Sequence, residues 1–172
     1  IRVTVPGNYT TYFNYGFRTH NGNRYFSTTT TDALSNSVTV LKGSLGEQIK
    51  IIAPMNTVTI FEYSPLGQLL RSTDPDGMQT SYQYDMLGRM TQRVHPDAGT
   101  DKYFYDSAGG LVWHTNGNGD TVRYRYHYNQ LTAVLHSSYP QNDVLYRYGA
   151  QGAAANRAGR IMYQEDASGW QV

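Results

Sequence analysis

The chain has 172 residues, 39% of them hydrophobic and 13% aromatic, with 16 tyrosines among them. Its 14 basic and 13 acidic residues leave a formal net charge of +1, which excludes a whole-chain electrostatic footprint for nucleic acid. The absence of cysteine excludes disulfides, thiolate nucleophiles and Cys-ligated zinc, and no run approaches the roughly 20 apolar residues a membrane helix needs.

Residues 1–27 form a β-rich lead-in. Arg2-Val3-Thr4-Val5 alternates as a strand, and Pro6-Gly7-Asn8 is a turn signal. Tyr9 to Phe17 is a second strand with Tyr9, Thr11, Phe13 and Tyr15 on one face. His20-Asn21-Gly22-Asn23 closes a hairpin, and Arg24-Tyr25-Phe26 returns. Residues 28–60 are worn copies of a pattern that is clearer downstream. Thr31 to Val38 parallels Tyr84 to Met90, with Ser35 where glycine would stand. Val38 to Leu41 is a strand ended by Lys42-Gly43, and Pro54-Met55-Asn56 separates the β-rich runs Gln48 to Ala53 and Thr57 to Tyr63.

Residues 61–136 carry the regular repeat. Tyr63, Tyr84, Tyr105 and Tyr126 recur on a 21-residue step, as do Gly67, Gly88 and Gly109, and Leu69, Met90 and Leu111. A fixed period of this size is the mark of a repeat architecture. In Thr80-Ser81-Tyr82-Gln83-Tyr84 alternation puts Tyr82 and Tyr84 on one face, and Tyr103 and Tyr105 repeat them. Asp85-Met86-Leu87-Gly88 is a reversal. The aspartate can bond its own backbone, and the glycine takes the φ > 0 place before Arg89-Met90 returns. Asp106 and Gly109 occupy the same places one step later. A second turn follows each return strand: Asp74-Pro75-Asp76-Gly77, then His95-Pro96-Asp97-Ala98, with Ala98 in the glycine place, then Asn116-Gly117-Asn118-Gly119. Each unit is thus two short antiparallel strands and two turns, and stacked units share an apolar stripe that one hairpin lacks.

After Tyr126 the register slips. Tyr126-His127-Tyr128-Asn129-Gln130-Leu131 is one residue short and has no glycine. Residues 137–172 form a degenerate repeat in which Asp143 to Tyr148 restores the strand. The Ala/Gly-rich stretch from Gly149 to Gly159 then replaces the tight turn, as a loop or one helical turn at Ala153-Ala154-Ala155. Gly159 to Tyr163 resumes the return strand, and Asp166-Ala167-Ser168-Gly169 is the next turn. The chain opens on Ile1 rather than Met and shows no signal peptide, so it is expected to be a fragment of a longer protein.

The chemistry-bearing residues fit turns and strands better than a reaction centre. Asn116 to Asp120 has some likeness to a calcium-binding turn, but these residues are what hairpin turns demand. The five histidines lack metal-ligand spacing, and His95 is a turn residue. There is no Gly-x-Ser-x-Gly elbow and no Walker loop. Asp85 and Asp106, one repeat apart, meet the spacing of a glycosidase pair only if they do not serve as turn caps. The expectation is a non-enzymatic chain without a cofactor. Arg123, Arg125 and Arg147 interleave with Tyr124, Tyr126, Tyr146 and Tyr148, which alternation sorts into an Arg face and a Tyr face. Trp113, Tyr124, Arg125 and Tyr126 are the candidate binding surface, with Trp170 as a further exposed aromatic, and carbohydrate is the ligand that flat aromatic strands suit.

The Tyr-x-Tyr-Asp-x-x-Gly-Arg-Met unit, the Asp-Pro-Asp-Gly turn and the 21-residue period resemble the RHS, or YD-repeat, family over residues 57–170. Asn156-Arg157-Ala158-Gly159-Arg160 with Glu165 to Gly169 is similar to bacterial members. The resemblance implies an all-β strip of hairpin repeats, curved as a segment of a hollow shell. In bacterial toxin complexes and polymorphic toxins such a shell holds a toxic C-terminal domain, and in teneurins a related shell serves adhesion. The family's self-cleaving aspartate core has no matching segment here. What the resemblance carries over is therefore wall: a structural fragment of a secreted or cell-surface bacterial protein. Its implied partners are further RHS repeats of the parent chain and an enclosed effector segment. Glycans belong to the alternative, an adhesion module, and exposed strand edges invite self-association.

Overall fold

Antiparallel hairpins joined by tight turns build the whole described chain. The computed structural model describes residues 1–5, 9–152 and 158–171; the Pro6-Gly7-Asn8 turn and Ala153-Ala154-Ala155 lie outside them, as does the side chain of Trp170. Two compact units divide it, residues 1–82 and 83–172.

The first unit runs through β1 (Arg2–Val5), β2 (Tyr9–His20), β3 (Asn23–Thr31), β4 (Ser37–Lys42), β5 (Gln48–Ile52), β6 (Val58–Tyr63), β7 (Leu69–Thr73) and into β8 (Gln79–Tyr84). Each strand pairs antiparallel with the next in sequence. The second unit holds β9 (Met90–His95), β10 (Gly99–Tyr105), β11 (Leu111–Thr115), β12 (Thr121–His127), β13 (Gln130–His136), β14 (Val144–Tyr148), β15 (Ile161–Asp166) and β16 (Gly169–Gln171), paired in the same way.

One turn design recurs. In Asp85–Arg89 the Gly88 N–H donates to the Asp85 carbonyl, and the Asp85 N–H to the Arg89 carbonyl. The Asp85 carboxylate accepts the Leu87 and Arg89 N–H groups, and Gly88 sits at φ 81°. Ser64, Asp74 and Asn116 head the same arrangement, with Gly67, Gly77 and Gly119 at positive φ. Asp32 heads a worn copy in which Ser35 itself takes φ 65°. Pro54–Asn56 is a short 3-10 turn, with Met55 and Asn56 at positive φ. The shortened turn after β12 has two residues, with Tyr128 at φ 52° between the paired His127 and Gln130. At His95 the pattern departs from expectation. Ala98 is spared the left-handed conformation, which moves one place on to Gly99 at φ 76°. The His95 Nδ1 there accepts the Asp97 and Ala98 N–H groups.

A second regularity is a register shift beside the Tyr-end turn, where the return strand carries one extra residue: Leu70, Val112, Thr132 or Met162. It recurs between Glu62 and Tyr63, Phe104 and Tyr105, Arg125 and Tyr126, and Arg147 and Tyr148. Beyond it Tyr63 faces Leu69, Tyr105 faces Leu111, Tyr126 faces Leu131 and Tyr148 faces Ile161. A local kink repeated at one place in each hairpin keeps the strands in step.

Burial is shallow. Among the described residues only Leu41 and Ala133 are buried hydrophobics, at 2% and 4% exposure, and Ser27, Thr39 and Asp101 are buried polars. Leu41 pairs with Ser27, which pairs with Gly16, so its neighbours along that cross-strand row are small. Elsewhere in each unit most described strand residues are half-buried, on both faces of their strands.

Close backbone approach sets a sharper glycine requirement than φ does. A Cβ on Gly117 would overlap the Ala98 carbonyl oxygen and lie 2.9 Å from the Gly99 Cα, so successive turns at this end touch backbone to backbone. Around Gly77, at φ 85°, there is open space. Thermal or urea unfolding should therefore rank the variants. Gly117→Ala is expected to cost more than about 2 kcal/mol. Gly77→Ala and Gly88→Val should each cost about 1 to 2 kcal/mol. Ser35→Gly should instead stabilise by about 1 kcal/mol, because it relieves a left-handed serine.

Candidate functional site

Three places collect chemically capable side chains, and all lie in the second unit. The first is the turn line. Arg89 Nε donates to Asp85 Oδ2 at 2.6 Å, its Nη1 donates to the Asp106 carbonyl at 3.2 Å, and its guanidinium lies 4.7 Å from the Tyr105 ring centre. Tyr105 Oη in turn donates to the Met90 carbonyl at 2.9 Å. Arg89 thus ties its own turn to the next hairpin's turn, and Tyr105 ties its strand back to the previous hairpin. Tyr148 repeats the second contact on the Leu131 carbonyl at 2.8 Å. Asp106 Oδ1 accepts the Gly110 N–H, as a turn head does.

These contacts decide what the carboxylates can do. The Arg89 N–H, followed by its side chain, holds the Asp85 carboxyl below the usual carboxylate range. A glycosidase acid needs the opposite, a carboxyl held protonated. Asp85 is a cap and an ion-pair partner. Burial raises the Tyr63, Tyr103 and Tyr126 hydroxyls above the ordinary tyrosine range, with nearby Glu47, Asp101 and Tyr124 respectively as the next cause. Proton chemistry near neutrality is not their task.

The second place is an ion cluster on the face that carries Tyr103. Asp101 is 6% exposed. Arg93 donates to its Oδ2 through both Nε, at 2.8 Å, and Nη2. His114 stacks on Tyr103 at 4.6 Å and brings Nε2 to 4.0 Å from Asp101 Oδ1. The single-copy reading missed this cluster, although the repeat contains its signal. The cross-strand pair Ser72 and Thr80 becomes Arg93 and Asp101 one step later, then His114 and Val122. Two charges of opposite sign arriving together at paired positions mark a compensated site.

The third is the face that carries Trp113. Phe104 and Trp113 are cross-strand partners with ring centres 3.6 Å apart and planes 17° from parallel. Arg123 is the next partner of Trp113, and Arg125 follows on the same side. Tyr124 and Tyr126 point to the opposite face, where Tyr124 is half-buried. The candidate surface is thus divided: the structure brings Trp113 and Arg125 together and sets Tyr124 and Tyr126 behind them. On β14 Tyr146 and Tyr148 are half-buried and Arg147 is exposed, the same sorting of Arg and Tyr.

Two shallow depressions open to solvent. One of about 470 Å³ lies in the first unit among His20, Tyr25, Glu47, Ile49, Phe61 and Tyr63. The other, of about 420 Å³, lies in the second unit among Gln83, Arg89, Gln92, Lys102 and Phe104. Among the described residues no three His, Asp or Glu side chains converge as metal ligands, and no helix is long and apolar enough to cross a membrane.

Residues 63–100, which hold the Asp85–Arg89 turn and its Tyr-bearing strand, match the family model described as RHS Repeat. The chain carries an RHS repeat. No curated protein matches it in sequence. Among solved structures, the crystal structure of TcdB2-TccC3-TEV superposes with a TM-score of 0.74 at 15% identity, covering 99% of this chain and 10% of that one. The Tc holotoxin pore of Photorhabdus luminescens, in a TccC3 mutant, gives 0.72 at 15% identity over 96% of this chain and 10% of that one. TcdB2-TccC3 itself gives 0.69 at 16% identity over 95% and 10%. At this identity the likeness is one of fold, and this chain spans about a tenth of the length of those chains. It establishes the all-β hairpin-repeat fold expected from the period.

Two measurements test these contacts. The Asp85 carboxyl is depressed in the fold, so its stabilising contribution is complete above the ordinary carboxylate range and is lost as pH falls through the lower folded value. The melting temperature should drop on acidification below about pH 4, and by less in Asp85→Asn. For the buried pair, Arg93→Met should cost about 2 to 3 kcal/mol, because Asp101 stays buried without its partner. The double variant Arg93→Met/Asp101→Leu should recover most of that loss in a denaturation cycle.

Proposed function

We propose that this RHS-repeat strip is non-catalytic wall, a stretch of a β-shell that encloses or presents a toxin or effector segment of the same parent protein. The observation that carries the reading is the shallow burial of a 172-residue all-β chain, with Leu41 and Ala133 as its only buried hydrophobics among the described residues. A self-sufficient globule of this length would close a core. A wall gains stability from ladders and cross-strand pairs, and leaves both faces available. Its fold likeness to TcdB2-TccC3 along nearly its whole length supports the same role.

The parts fit that role. The acidic side chains of the turns cap backbone N–H groups, and Arg89 and Tyr105 stitch one hairpin to the next. In this reading the partners are further RHS repeats of the parent chain at the strand edges, and the segment held against the sheet. The parent is a bacterial protein that acts outside the cell or at its surface. The repeat positions Tyr63, Tyr82, Tyr84, Gly88, Tyr103, Tyr105, Gly109, Leu69, Met90 and Leu111 serve the wall and no reaction. For the adhesion alternative, Trp113 offers a sugar at most one ring face, because Phe104 covers the other.

Limited proteolysis of the parent protein tests the proposal. The segment held by the shell should survive protease doses that digest the same segment once it is excised. Equal rates of digestion would sink the enclosure reading.

A further inference from the structure

The face that carries Trp113 has a chemistry of its own. Lys102, Arg123 and Arg125 lie on it, all exposed, and none is ion-paired among the described residues. Cross-strand pairing sets Phe104, Trp113 and Arg123 in one row, with Lys102 beside Phe104 and Arg125 beside Arg123. Asp101, the buried acid nearest in sequence, faces the other way and is held by Arg93. Alternation has therefore separated the charges of these strands by face.

The aromatic pair adds to that separation. Ring centres 3.6 Å apart in nearly parallel planes leave little room for a lateral offset, so each ring covers one π-face of the other. An aromatic ring is negative on its face and positive at its edge. Phe104 is 46% exposed, so the pair still offers ring surface, edges included, to a partner, and three cations lie on the same face. Sugars and nucleic-acid bases bind aromatic residues through the ring face, and one face of each ring is already taken by the other. Carboxylates bind ring edges, ammonium groups and guanidinium forks.

We infer that the face built by Lys102, Phe104, Trp113, Arg123 and Arg125 docks an extended acidic polypeptide segment with carboxylates at alternate positions. Arg123 and Arg125 are two residues apart on β12, which places their side chains about 7 Å apart along the strand, the spacing of alternate side chains in an extended partner. Trp and Arg are also the side chains that most often anchor protein–protein interfaces. The inference rests on the wall reading, and it makes an acidic stretch of polypeptide the thing held against this part of the wall.

Calorimetric titration of the whole chain with a short peptide alternating Glu and Leu tests it. Saturable binding is expected, weaker at higher salt, at least about tenfold weaker in Arg123→Gln/Arg125→Gln, and absent for the matching Lys and Leu peptide. Both arginines are exposed, so the double variant should keep the parent melting temperature; Lys102→Gln is the second variant and should weaken binding by a smaller factor. No binding of the acidic peptide, or equal binding by the variants, overturns the inference. Tighter binding of an oligothymidylate than of the peptide overturns it as well and makes the surface a nucleic-acid site. Either failure leaves the enclosure reading standing, because protection of the segment within the parent is measured separately.

Discussion

The left-handed residue at the fourth place of each turn is the constraint on which this protein depends. Once Gly67, Gly77, Gly88 and Gly119 take positive φ, the Ser, Asp or Asn three residues earlier receives two backbone N–H groups on its own side chain, and Asp106, before Gly109, receives the Gly110 N–H. The reversal is then closed by local bonds alone. A closed turn fixes the register of the strands it joins, and register fixes which side chains share a face. The 21-residue period is the sum of two such turns and the two strands between them. Where glycine is missing the constraint persists and another residue bears the strain: Ser35 and Tyr128 enter the left-handed region themselves. At His95 the left-handed place moves to Gly99, and the imidazole substitutes for the carboxylate as acceptor.

Fixed registers alone would give a series of independent hairpins. Side chains reach between them. Arg89 spans two turns, Tyr105 and Tyr148 bond carbonyls of the previous hairpin, and Gly117 lets two turns at the other end touch. These contacts are polar or backbone in character, which suits a sheet with little core to contribute. Only where neighbours are small, as at Gly16 and Ser27 around Leu41, does the layer bury a large side chain fully. Hairpins held this way keep half-buried and exposed side chains on both faces of their strands.

Repetition also gives freedom to vary. With the turns carrying the fold, paired strand positions can change together. Ser72 and Thr80 become Arg93 and Asp101, and strand positions behind them become Lys102, Phe104, Trp113 and Arg123. The first exchange is internal and self-compensating. The second leaves cations and an aromatic pair on one face, the cations without an ion-pair partner among the described residues, and this gives that face an identity that the repeat does not impose.

Much of the fold was legible in the sequence because its determinants are local. Period, turn positions, strand alternation and the worn copies before Phe61 follow from φ preferences and side-chain caps within five residues of each other, and the hairpin at Asn21-Gly22 did as well. The place of the left-handed residue after His95 was not legible. Ala98 and Gly99 compete for it, and the contact between neighbouring turns at Gly117 belongs to the assembled sheet. The candidate surface shows the same boundary. The sequence by itself determined that Arg and Tyr part to opposite faces, since alternation has a period of two. Only the tertiary structure decided that Trp113 turns its ring against Phe104 and stands beside Arg123, because partners from three strands meet through the register of their ladders. The same holds for Arg93, Asp101 and His114: no spacing in a single copy joins them, and the pairing of β9, β10 and β11 does.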